Sequence, residues 1–362
     1  MILYCIIVAA SVWIACQVKY IDKVQGKGDR LRSRQWVVNR ICLTGIFALL
    51  FGVSVLRIRT GNDYQTYIDH FHDIVCGNFV VTEKGFNLIV TAIYRFLDGE
   101  YYLVVFGVFA FFTILIFLAG LYRQSVDFKM SFFLFMTLGL YFQTFNTVRY
   151  YLALAIVVYA MYDLLHQHYM KFVLWIVLAS LFHKSVLVVL VLFFVAKCTW
   201  KWWHYLILGM LGITGLVAKN GYMKLLLWLY PSYVNEEEYL LGTGISYVNI
   251  ARCLAVIVLC LLYYKYSLKN SRECRFFFQL NVGALILYSC FFFVPFVSRI
   301  GYYLNVSQLF LIPMILKDMP KKHRKWWTII IVLAGVGYFI LFLQRAAEIN
   351  IRILPYTTWL FE

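Results

Sequence analysis

Charged residues are scarce in this sequence and acidic ones scarcer still: 17 Asp and Glu stand against 33 Lys and Arg, and the four together make only 14% of 362 residues. Soluble domains are about a quarter charged and about half apolar, whereas this chain is 63% hydrophobic and 19% aromatic, which sets a soluble fold aside. Ten-residue stretches of alternating hydrophobicity are also missing, which sets aside an outer-membrane barrel. The nine cysteines form no C-x-x-C pair and lie mostly in apolar runs. They read as small membrane-core residues, with no disulfide framework or metal site implied. No basic residue precedes the first apolar run, Ile2 to Val18, and Lys19 and Lys23 follow it. That order predicts a retained helix whose start faces away from the cytoplasm, not a cleaved signal peptide. No soluble domain, long linker, low-complexity tract or clear internal repeat is visible.

What the chain does have is a series of apolar runs approaching the roughly 20 residues a helix needs to cross a bilayer. The expected fold is all-α: one polytopic integral membrane domain, residues 1–362, with about 12 transmembrane or re-entrant helices. The net charge of +16 sits in short breaks between apolar runs, so it reports orientation and not a nucleic-acid partner. Lys19 to Arg34 is read as cytoplasmic, and a helix from about Trp36 to Leu56 then delivers an outer loop, 57–100. A second outer loop, 219–247, carries Glu236, Glu237 and Glu238. Within the first, Tyr64, Tyr67, Ile68, Phe71 and Ile74 recur at helical spacing opposite Asp69 and Asp73. Phe86, Ile89, Val90, Ile93 and Leu97 do the same. Both segments are expected as interfacial amphipathic helices, the first N-capped by Asn62 or Asp63.

Gln143, Asn146 and Arg149 interrupt the run from Met130 to Leu165, which predicts a turn near Phe145 to Val148 and a new helix opening with Arg149. The run Lys171 to Ala196 is broken by His183-Lys184-Ser185 and is read as a hairpin with His183 at its tip. A single crossing there would turn the basic clusters Lys265 to Arg275 and Lys317 to Lys325 outward, against the positive-inside rule. With the hairpin, most of the 33 basic residues face inward and most of the 17 acidic ones outward.

This layout brings Arg57, Arg59, Asp63, Glu83, Arg149, His183, Lys184 and Arg299 to the outer side from separate parts of the sequence. Ionisable groups that interrupt apolar runs suggest function with a partner. Plainer roles stay open: headgroup snorkelling for Arg149 and Arg299, a solvated tip for His183-Lys184, capping for Asp63, a first-turn acid for Glu83, turn chemistry for Gly61 and interfacial anchoring for Tyr64 and Tyr67. Guanidinium groups bind phosphate oxygens in pairs and stay charged when half-buried, which suits a lipid-linked pyrophosphate. A nearby carboxylate or imidazole can take the proton of an acceptor hydroxyl as the pyrophosphate leaves. Together these residues describe a glycosyl transfer site without a metal.

Several passages carry a resemblance. They are Arg59-x-Gly61-x-Asp63-Tyr64-x-x-Tyr67 with Phe71, Glu83 before Gly85-Phe86, Phe145-Asn146-Thr147-Val148-Arg149-Tyr150-x-x-Ala153, Ala179-Ser180-Leu181-Phe182-His183-Lys184-Ser185, Arg299-Ile300-x-Tyr302-Tyr303 and the terminal Pro355-Tyr356. In that order they resemble the EpsG-like branch of the Wzy-type polymerases of O-antigen, capsule or exopolysaccharide. The chain departs from the pattern at Gly85, where proline is expected, and at Tyr150, where glutamine often follows the arginine. The resemblance implies a GT-C-like glycosyltransferase of the bacterial cytoplasmic (inner) membrane, its site facing the periplasm or exterior. It implies transfer of an undecaprenyl-pyrophosphate-linked oligosaccharide to a new lipid-linked repeat unit, with no nucleotide sugar or redox cofactor. A chain-length regulator and a flippase of the same pathway are the implied partners beside the bilayer. By analogy with other lipid-dependent membrane glycosyltransferases Asp63 is the expected base, with His183 its rival and Glu83 third. Arg149 and Arg299 are expected on the pyrophosphate, with Arg57, Arg59, Lys184, Tyr64, Tyr67 and Tyr302 in the substrate-binding set. The competing readings are a lipid-linked oligosaccharide flippase and a polysaccharide O-acyltransferase.

Overall fold

The computed structural model describes residues 1–19, 30–198, 200–229, 244–294, 297–348 and 351–360. The chain forms two compact units, Met1–Leu187 with Pro320–Glu362, and Val188–Met319. Both are helical, and the only strand pairing among the described residues is a two-residue ladder.

In the first unit, α1 (Ile2–Ala15) and α2 (Arg30–Leu56) lead into β1 (Arg57–Ile58), and α3 (Tyr64–Cys76) and α4 (Lys84–Leu97) follow. The helical spacing read from the sequence is realised here: Tyr64, Tyr67 and Phe71 of α3 and Phe86, Val90 and Tyr94 of α4 are buried. Their rings pack on one another and on Phe106 near the start of α5 (Tyr102–Gln124). Next come α6 (Phe128–Thr137), a break at Leu138 and Gly139, the short α7 (Leu140–Gln143) and α8 (Val148–Leu165). The turn falls where Gln143 and Asn146 interrupt the apolar run.

α5 and α8 lie side by side and run the same way. At one end Phe106 stacks with Tyr64 at 4.8 Å, and Tyr67 on the same helix as Tyr64 meets Arg149. At the other end Arg123 grips Asp163 with two hydrogen bonds of 2.8 and 3.1 Å. Parallel neighbours need a returning segment between them, and α6 with α7 supplies it. α9 (Tyr169–Ser180) stops short of His183, and a 3-10 helix, Lys184–Val191, follows, so the apolar run is broken where its polar residues stand. The last helix of the chain, α17 (Lys321–Arg345), packs on α6, where Gly335 lies against Phe133.

The second unit holds α10 (Leu192–Lys197), α11 (Trp202–Val217), α12 (Lys219–Leu229), α13 (Tyr247–Leu262), α14 (Arg272–Cys290), α15 (Val297–Asn305) and α16 (Gln308–Asp318). α12 turns away from α11 by 89°, so the first part of the expected second outer loop is helical. Cys253, Ala284 and Tyr288 form the core of this unit, alongside an amide chain: Gln308 donates to Asn281 at 2.7 Å, and Asn281 to the Cys253 carbonyl at 3.0 Å. Glu236 to Glu238 and Lys23, named in the expected loops, lie outside the described residues.

Against about 12 expected crossings, the described residues contain four single helices long and apolar enough to span a membrane: Arg34–Leu56, Tyr102–Gln124, Val148–Leu165 and Lys321–Arg345. The bent pair formed by α11 and α12 makes a fifth if the two are one broken span, and α1, α6, α9 and α13 are shorter apolar helices. The chain is a multi-pass membrane protein.

Candidate functional site

The site grows from the N-terminus of α4. Glu83 occupies the N-cap position with extended backbone, yet its side chain makes no capping bond to its own helix. The carboxylate reaches instead to the start of α8 and to the break after α9. Oε2 accepts a short hydrogen bond from Arg149 Nη1. Oε1 accepts from the backbone N–H of Lys184 at 3.1 Å and faces His183 Nδ1 at 3.4 Å.

Gly85 makes that approach possible. A Cβ there would lie 2.7 Å from Leu181 Cβ and 2.8 Å from the Leu181 carbonyl oxygen, and the Gly85 N–H donates to that oxygen at 3.0 Å. Proline, expected here from the family pattern, has neither the room nor the N–H. The substitution thus holds α4 against the turn that carries His183.

The surroundings are aromatic. The Arg149 guanidinium lies 5.2 Å from the Phe86 ring centre and 5.9 Å from that of Tyr67, whose hydroxyl meets the Arg149 backbone N–H at 3.5 Å. Tyr150 sets its ring edge-on to His183 at 5.4 Å. Arg149 Nε is buried with no hydrogen-bond partner among the described residues, an unusual state for a charged donor.

Burial works to raise the Glu83 carboxyl above its ordinary value, but the bond to His183, the charge of Arg149 and the Lys184 N–H outweigh it and bring it down to about 2. Glu83 is therefore an anion at any physiological pH, and a poor proton acceptor. Burial pushes the Tyr67 hydroxyl up, against the pull of Arg149. His70, on the same helix, is held below its ordinary value first by burial and then by Arg149.

Other residues expected at the site take different positions. Arg57 is buried, and its Nε and Nη1 donate to the carbonyls of Ser54, Thr60 and Phe145 at 3.2, 3.0 and 2.7 Å, which makes it a strut joining α2 to the turn before α8. Burial lowers its guanidinium to about 10. Asp63 is the N-cap residue of α3, as expected, without a side-chain capping bond. Its charge bears on Tyr67 and His70, so it borders the Arg149 cluster. Arg59 is exposed, with φ of 49°. Lys184 meets Glu83 through its backbone, and its side chain is exposed. Arg299 and Tyr302 stand on α15 of the second unit, both half-buried.

The C-terminal segment locks the stretch after α2 in place. β2 (Thr357–Thr358) pairs antiparallel with β1, Arg57 opposite Thr358. Gly61, at φ +111°, donates to the Arg352 carbonyl at 2.9 Å and stands where a Cβ would meet the Phe145 carbonyl oxygen at 2.4 Å. Tyr4 and Tyr356 add bonds to the Ile353 and Val53 carbonyls at 2.8 and 2.9 Å.

The sequence reading did not single out His70 or Arg352, and gave Phe86 and Tyr150 a place in a helix face or a motif but no role at the site. Phe86 and Tyr150 adjoin flagged residues in their motifs, and His70 lies beside Asp69 on the polar side of α3. Arg352 carried no signal, because only folding returns it to Gly61.

No curated protein and no solved structure matches the chain. The EpsG family model matches residues 40–358, from the middle of α2 to the last strand, and the chain belongs to the EpsG family, which is associated with exopolysaccharide biosynthesis.

Proposed function

We propose that the protein is a polysaccharide polymerase. It transfers a glycan from undecaprenyl pyrophosphate to a new lipid-linked repeat unit at the outer face of the bacterial cytoplasmic membrane. The observation that carries this reading is the Glu83 carboxylate drawing Arg149, the Lys184 N–H and His183 together at one end of the parallel pair α5 and α8. The ion pair Arg123 with Asp163 marks the other end, about 21 Å along α8.

In this reading Glu83 orients and His183 accepts the proton. A carboxyl held at about 2 cannot take a proton from a hydroxyl at neutral pH, but it fixes the imidazole through Nδ1 and leaves the lone pair on Nε2. The acceptor hydroxyl oxygen bonds to the anomeric carbon of the donor glycan and its proton passes to His183 Nε2. The bond from that carbon to the pyrophosphate oxygen breaks, and the electron pair leaves with the pyrophosphate. Arg149, whose buried Nε has no hydrogen-bond partner among the described residues, is the group to meet that charge. Asp63 is the rival base.

Purified protein with lipid-linked repeat units should give a ladder of lengthened products. Protein that carries units across a bilayer without ever lengthening them would make it a flippase instead.

A further inference from the structure

The last turns of α3 carry two side chains of metal-binding chemistry, His72 and Cys76, and a third, Glu100, faces them from the connection between α4 and α5. Each offers one donor atom, and the three atoms lie within 4.8 Å of one another, a grouping that occurs once among the described residues. His72 and Cys76 stand four residues apart, one above the other on the exposed face of α3. Ahead of Glu100, Asp98 takes the left-handed conformation at φ 50°, and Gly99 leaves room for the Tyr101 ring, which a Cβ at 99 would meet at 2.8 Å. That tight turn brings the Glu100 carboxylate back to α3, where its two oxygens accept from His72 Nδ1 at 2.9 and 3.0 Å.

With its Nδ1 proton on the carboxylate, the imidazole has its lone pair on Nε2, which faces Cys76 Sγ at 3.6 Å. Bonds of about 2.0 to 2.1 Å to nitrogen and about 2.3 Å to sulfur, at a tetrahedral angle, place two such ligand atoms of a zinc ion about 3.6 Å apart. The observed spacing is therefore that of one edge of a zinc tetrahedron. Charge points the same way. The chain carries 33 Lys and Arg, yet none lies between Arg59 and Lys84, whereas Asp63, Asp69, Asp73 and Glu83 all do. Cys76 also ends α3, and the carbonyl end of a helix favours a cation.

We propose that His72, Cys76 and Glu100 bind one divalent ion of the zinc class. His72 Nε2 and the Cys76 thiolate ligate it, the thiol releasing its proton to solvent. The Glu100 carboxylate turns from Nδ1 to the ion as the third ligand, and water takes the fourth position. Thiolate and carboxylate together balance the two positive charges. The thiolate selects against magnesium and calcium, which prefer oxygen ligands. The ion ties the end of α3 to the connection before α5, about 8 to 14 Å along α3 from Tyr67, which meets Arg149. It holds structure and takes no part in glycosyl transfer, so the inference does not depend on the polymerase reading.

The test titrates the reduced full chain in detergent micelles with Co²⁺ as the spectroscopic probe and Zn²⁺ as the competitor. The wild type should bind one ion per chain, with a thiolate-to-cobalt charge-transfer band and the visible bands of a tetrahedral ion. Zn²⁺ should erase both, and Mg²⁺ and Ca²⁺ should leave them unmoved. Cys76→Ser should lose the charge-transfer band, and His72→Gln and Glu100→Gln should each weaken binding roughly tenfold or more. His72 and Glu100 are 58% and 49% exposed, so these variants keep the fold. Cys198 is the control: it too faces a histidine, His204 Nε2 at 3.4 Å, but has no third donor among the described residues. Cys198→Ser should keep the band. Zn²⁺ should also slow alkylation of Cys76, read by peptide mass spectrometry. A wild type without the cobalt bands, a charge-transfer band that survives Cys76→Ser or vanishes in Cys198→Ser, or a Cys76 alkylation rate indifferent to Zn²⁺ would overturn the site. Product ladders are not among these measurements, so the metal site and the polymerase reading stand or fall separately.

Discussion

Replacing Glu83 with glutamine removes one charge and leaves three donors facing a neutral amide. A carboxyl brought to about 2 from an ordinary 4.5 is about 3 kcal/mol more favourable as an anion in the folded protein. Its side chain is 11% exposed and that of Arg149 20%, so water screens the pair little. Breaking one side of such a pair leaves the partner charge uncompensated, at a cost of about 3 to 5 kcal/mol. Glu83→Gln should therefore lower stability by about 3 kcal/mol, and Arg149→Met should rescue part of that loss when added to it. The pair is followed by chemical denaturation in mixed micelles, with thermal midpoints used for ranking. Because the folded value lies below the ordinary one, the Glu83 contribution is complete above 4.5 and is lost as pH falls through about 2. Coupling between the two positions should thus be flat from about pH 5 to 8. Additive single-variant losses, or a coupling that collapses near neutrality, would refute the arrangement.

Other expectations concern the same end of the molecule. Asp63→Asn should keep turnover and His183→Gln should abolish it with donor still bound; the opposite pattern would move the base to Asp63. Arg149→Lys should keep its charge and still lose most product, since an ammonium cannot present two parallel donors; full activity would remove Arg149 from the pyrophosphate. Gly61→Ala should cost about 1 to 3 kcal/mol or more and impair folding, because φ is positive and the opposing atom is backbone; a wild-type denaturation profile would contradict it. His70 favours its neutral form in the folded state, so its contribution is present above 6.5 and lost as pH falls below it. His70→Gln should flatten that part of the stability profile, and an unchanged slope would exclude the residue.

Much of the local structure was legible because it follows from the chain's own periodicity. Tyr64, Tyr67 and Phe71 bury as their spacing predicts, α8 opens at Val148 where three polar residues interrupt an apolar run, and the run after α9 breaks at His183. Each depends on neighbours within a turn or two, and a costly polar group in an apolar run marks itself. The role of Glu83 was not legible in this way. As a residue before a helix it looks like a capping acid, and only the approach of Leu181 over Gly85 turns it towards Arg149 and His183. Arg57 misleads for the same reason in reverse: beside Arg59 it looks like a ligand for phosphate, but the fold spends it on three carbonyls.

Composition and periodicity by themselves determined a multi-pass, all-helical membrane protein with its helix starts and breaks, because hydrocarbon forces each spanning segment to satisfy its own backbone and to be apolar over its length. Which ionisable groups meet was decided only in three dimensions. Glu83, Arg149 and His183 are brought together by helix packing, and Arg352 by a C-terminal segment that returns to the first loop, contacts between residues a hundred or more positions apart in sequence in two of those cases, which no local pattern encodes.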